Sequence, residues 1–113
     1  LKQYIARNFT KLNRDLATFQ QIIKGGKPVL VDFYADWCNP CKMMNPTLKS
    51  IKKHFGDDIK ILKINVDNNE KVAGKFQVRG IPTFILFKEG EIKWRKSGVI
   101  EEKEFIETIN SNI

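Results

Sequence analysis

Two cysteines, Cys38 and Cys41, constrain this chain most: they are the only two, and they stand between two strongly patterned segments. Ahead of them, residues 29–35 (VLVDFYA) are β-rich and apolar on both alternating faces, as a central parallel strand should be. Behind them, Met44, Leu48, Ile51 and Phe55 recur at i, i+4, i+7 and i+11, the stripe of a helix packed on a sheet. If both cysteines lie on the first turn of that helix, they share one face. At about 1.5 Å rise per residue their backbones fall within the roughly 4.4–6.8 Å between Cα atoms that a disulfide needs. So small a loop stabilises by less than the roughly 3 kcal/mol expected of a 15-residue loop. The pair is poorly placed as a staple and well placed as a switch.

The chemistry follows from the helix start. Its unpaired N–H groups and partial positive charge favour a thiolate over a thiol, which lowers a cysteine pKa there. Thiolate is the attacking form in disulfide exchange. Cys38 is expected to be the more exposed sulfur and the nucleophile, and Cys41, one turn deeper, the resolving thiol. Pro40 suits this geometry, because proline is tolerated in a first helical turn. Cys-x-x-Cys followed by His54 also begins like a zinc finger, but His54 is the only histidine and there is no third cysteine, so the ligand set is short. An inert buried pair fits poorly with the flanking Trp37 and Pro40.

Residues 32–43 (DFYADWCNPCKM) resemble the active-site signature of the thioredoxin family. Gly80-Ile81-Pro82-Thr83 resembles the family's cis-proline loop, residues 87–91 (FKEGE) its last hairpin, and Gly98 the glycine before its final helix. The match runs from about Pro28 to the C-terminus. One position departs: Asn39 stands where the family usually has glycine. The resemblance implies a thioredoxin fold, a three-layer α/β/α sandwich with a mixed sheet of about five strands and four helices, as one domain over residues 1–113. It implies a thiol–disulfide oxidoreductase that reduces protein disulfides through Cys38 and Cys41. Trp37, Asn39, Pro40, Ile81, Pro82 and Gly98 would form the substrate-binding surface, with the residue before a cis proline offering backbone groups to an extended client. No cofactor or metal is expected beyond the redox-active pair. The implied partners are disulfide-containing proteins and an electron donor such as a thioredoxin reductase. A disulfide oxidase or isomerase, and a non-catalytic binding module of the same fold, remain as alternatives. The Asn39 amide could donate to the Cys38 thiolate or stand idle in solvent.

Asp32 is the anomaly of the first strand. Desolvation raises the pKa of a carboxyl in such a place, and a group so perturbed beside a dithiol is a functional candidate. The residues alone leave two readings, a structural Asp satisfied by a donor and a group that takes the proton of Cys41; the resemblance favours the second. Lys63, on the face it shares with Ile59 and Ile61 in the next strand, wants a carboxylate, and Asp32 is the obvious one. A surface lysine with a buried stem is the other reading.

The rest of the chain fills in the frame. A short strand is expected at residues 9–12. Leu16, Phe19, Ile22 and Ile23 repeat at helical spacing, capped through Thr18 and Gln21 or by Asn13 and ended by Gly25-Gly26. The central helix is expected over residues 40–55, kinked where Pro46 removes an N–H and stopped by Gly56. A strand over 59–67, a short helix capped by Asn68, strands over 83–87 and 92–97, and a final helix over 101–112 complete it. The net charge is +7, from 20 Lys and Arg against 13 Asp and Glu, but the basic residues are scattered. No aromatic-interleaved basic patch of the kind that binds nucleic acid is present; acidic partner surfaces suit this charge better. No apolar run approaches the roughly 18 residues of a membrane helix. A monomer in the cytoplasm is expected, or in the periplasm if a signal or anchor was removed before Leu1.

Overall fold

The computed structural model describes residues 16–113. The strand expected at residues 9–12 and the Asn13 cap lie outside them. The elements run α1 (Leu16–Ile23), β1 (Val29–Tyr34), α2 (Asn39–Met43), α3 (Asn45–Phe55), a 3-10 turn (Gly56–Asp58), β2 (Lys60–Asn65), α4 (Glu70–Lys75), β3 (Thr83–Lys88), β4 (Glu91–Ser97) and α5 (Glu102–Asn110). Among the described residues the sheet has four strands, in the order β2-β1-β3-β4, against about five expected. β1 and β2 are parallel; β3 runs antiparallel to β1 and to β4.

Alternation along β1 makes the two cores. Val29, Val31 and Phe33 pack on one face with Phe19 and Ile23 of α1 and Val72 of α4. Leu30 faces the other way, into Leu48, Ile51 and Phe55 of α3 and Phe105 and Ile109 of α5. A strand buried on both faces must be apolar at nearly every position, as 29–33 is apart from Asp32. Each such side chain contributes about 1.5–3 kcal/mol by leaving water. Edge-on aromatic pairs, Phe19–Phe87 at 5.8 Å and Phe84–Phe105 at 5.0 Å, lock the layers in register. Among the described residues, α1 and α4 cover one face of the sheet and α3 and α5 the other, which gives the expected three layers.

Several local expectations need correction. The central helix is two helices: it breaks at Met44, and Pro46 sits in the first turn of α3 instead of kinking an interior. Proline costs little there, since a first-turn N–H has no partner within the helix anyway. The stripe of Met44, Leu48, Ile51 and Phe55 is buried as expected, and Gly56 stops α3 at φ 57°. Thr18 lies inside α1 and does not cap it. Asn69, not Asn68, is the residue before α4. The hairpin turn takes positive φ at Glu89 and Gly90, the geometry that matches strand twist, and Gly90 N–H ties it to Ile23 O at 2.8 Å.

Candidate active site

The turn after β1 delivers the cysteines. Cys38 is the N-cap of α2, with extended backbone (φ −89°, ψ 107°), and Cys41 lies in the first turn behind it. Their Cα atoms are 5.3 Å apart and the sulfurs form a disulfide. The Cys41 backbone N–H donates to Cys38 Sγ at 3.2 Å. Pro40 occupies the first turn, as its missing N–H permits. The expectation of an exposed Cys38 over a deeper Cys41 needs correction: in the disulfide both residues are buried, 4% and 3% exposed. Ala35, Tyr34, Val66 and Ile81 close around them. Trp37 is exposed, and its indole N–H donates to Asp67 Oδ2 at 2.9 Å. Asp67 is held in turn by its own N–H on Asn65 Oδ1 at 2.9 Å. The Asn39 side chain is exposed, and it is the Cys41 amide that reaches the Cys38 sulfur.

Asp32 is 1% exposed, and neither carboxyl oxygen has a hydrogen-bond partner. Burial pushes its pKa up to about 7, against a smaller opposing pull from the Lys63 charge. Parallel register sets Lys63 of β2 beside Asp32 of β1. The expected pairing of the two is nevertheless not made. Lys63 Nζ donates to Asn45 Oδ1 at 2.7 Å and stands 4.7 Å from the centroid of the Tyr34 ring. Asn45 opens α3 and offers a nearer acceptor, so the ammonium satisfies itself there.

The third component is the loop into β3. The Ile81–Pro82 bond is cis, as expected. Thr83 Oγ1 bonds Gly80 O at 2.5 Å and Ser97 Oγ at 2.7 Å. Gly98, at φ 97°, donates its N–H to Pro82 O at 2.8 Å; this left-handed backbone is one that glycine adopts readily. Ile81 packs against the cysteines, so dithiol and proline loop are one site. Asn45, Asp67 and Ser97 were not legible as site residues. Each acts through a contact distant in sequence, and none carries a local motif.

A helix-capping cysteine bonded to its first-turn partner, with an unpaired buried carboxyl on the preceding strand, marks a protein built for dithiol–disulfide exchange. The family model described as Thioredoxin matches residues 10–111. A thioredoxin from Rickettsia bellii is 44% identical over 94 residues, 83% of this chain and 90% of that one. A thioredoxin from Pseudomonas aeruginosa is 39% identical over 98 residues, 86% of this chain and 91% of its own. The solved structure of Fasciola hepatica thioredoxin superposes with a TM-score of 0.80 at 33% identity, covering 90% of this chain and 97% of that one. The chain belongs to the thioredoxin family and is a thiol–disulfide oxidoreductase.

Proposed function

We propose that the chain works as a reductase of protein disulfides, with Cys38 as its nucleophile. The observation that carries the assignment is the asymmetry of the pair: Cys38 caps the helix start and its Sγ accepts the Cys41 N–H, which favours its thiolate, while Cys41 lies behind it in the first turn as the donor of that bond. In the reduced protein, the Cys38 thiolate attacks one sulfur of a client disulfide. A Cys38–client disulfide forms and the other client sulfur leaves as thiolate. Asp32 takes the proton of Cys41, directly or through water. The Cys41 thiolate then attacks Cys38 Sγ, the mixed disulfide breaks, and the second client sulfur leaves. Two electrons have moved to the client, Cys38–Cys41 is oxidised, and the proton held by Asp32 is available to a departing thiolate. A carboxyl with a pKa near 7 is suited to both halves of this transfer.

Trp37, Asn39, Pro40, Ile81, Pro82 and Gly98 form the client surface in this reading. The Ile81 backbone serves an extended segment by strand addition. Lys63 tunes Asp32 by its charge. No bound cofactor is needed, because the Cys38–Cys41 dithiol itself supplies the two electrons as it closes to the disulfide. A thioredoxin reductase is the donor that restores the dithiol, and the protein works as a monomer in the cytoplasm. The experiment is insulin reduction by dithiothreitol, followed by turbidity. Wild type accelerates it and Cys38→Ser does not; equal rates with and without wild-type protein contradict the proposal.

A further inference from the structure

Lys63 is set by strand register beside a buried carboxyl that lacks any hydrogen-bond partner, yet its ammonium bonds an amide oxygen on another element. We propose that Asn45 is a positioning residue: its side-chain oxygen holds the Lys63 ammonium off Asp32 and leaves that carboxyl free of any partner. The geometry is specific. Asn45 is the first residue of α3, half-buried, and Pro46 follows it at the point where the central helix restarts. The break at Met44 thereby brings a side-chain acceptor within 2.7 Å of Lys63 Nζ. The Tyr34 ring, 4.7 Å away, provides the other wall. A lysine ammonium carries three donors and no acceptor, so a half-buried one seeks oxygen. Without the Asn45 oxygen, the carboxyl on the adjacent strand is the natural replacement.

The groups around Asp32 leave Lys63 as the cation that decides this. β2 presents Lys63, β3 presents Phe84 in register with Asp32, and β1 ends at Tyr34, with Asp36 in the turn two residues beyond it. The α2–α3 segment carries Cys41, Met44 and Asn45 and no carboxylate. A carboxylate locked to an ammonium would hold its charge and trade protons poorly; an unpartnered one, feeling Lys63 only at a distance, keeps a proton near neutral pH. The functional consequence rests on the role proposed for Asp32 above, but the position of Lys63 does not.

The test is a 13C NMR titration of the Asp32 side-chain carboxyl in the oxidised protein. Asn45→Ala releases Lys63 toward Asp32 and lowers the titration midpoint by about one pH unit, the low end for an opposite charge coming into contact. Asn45→Leu, which keeps the side-chain volume, gives the same fall if the alanine variant folds poorly. Asn45→Gln, which keeps the acceptor, stays nearer wild type than either. Lys63→Met raises the midpoint, and adding Asn45→Ala to it changes nothing further. A midpoint unmoved or raised by both Asn45→Ala and Asn45→Leu overturns the proposal, as does a fall that persists in the Lys63→Met background. The catalytic role of Asp32 is read separately, from release of a Cys38-linked mixed disulfide in Asp32→Asn, so the two ideas can fail independently.

Discussion

Asp32 holds the largest electrostatic liability among the described residues. Its two oxygens are buried without a donor, and desolvation lifts its pKa to about 7 from the 3.8 of a free side chain. Between those values the folded protein keeps a proton that the unfolded chain has lost. The contribution of this group to stability is therefore full below about pH 4 and is lost as pH rises through 7, by on the order of a few kcal/mol. Asp32→Asn removes the ionisation. Urea unfolding should show this variant more stable than wild type at pH 8, by a few kcal/mol, with the gap closing toward pH 4. The anomaly of Asp32 was legible in the sequence, because one carboxylate interrupts an otherwise apolar strand. The partner of Lys63 was not. Alternation places a side chain on a face, but which of two oxygens an ammonium reaches depends on where α3 restarts.

At the scale of elements, the strands and helices follow the periodicity closely, and the misreadings fall at their ends. The stripe from Met44 to Phe55 is the same whether the helix is continuous or broken, so pattern alone could not place Pro46 in a first turn. Glycines mark where the backbone, not packing, sets the outcome. Gly56 closes α3 at φ 57°, and a Cβ there would meet nothing within 4 Å. Gly56→Ala should cost about 1–3 kcal/mol, all of it backbone strain. Gly74 lies inside α4 with open space around it and ordinary helical backbone. Gly74→Ala should stabilise by about 0.5–1 kcal/mol. Thermal unfolding of the two variants checks both signs against wild type.

Across the whole molecule, three short motifs far apart in sequence meet at one end of the sheet. The turn after β1 brings the cysteines, the loop before β3 brings cis Pro82, and the residue after β4 brings Gly98. That convergence made fold and site readable together, because each motif punctuates a strand end. Burial of the sulfurs was not readable, since it arises from Tyr34, Val66 and Ile81 closing over the pair from three different segments. Everything proposed for this site requires that one of these sulfurs attacks while the other resolves. Mass spectrometry of Cys41→Ser, reduced and then mixed with a disulfide-bonded peptide, tests it most directly. Cys41→Ser should give a stable adduct on Cys38 and Cys38→Ser none on Cys41; adducts of equal yield on either remaining cysteine would mean that the two sulfurs do not divide these roles.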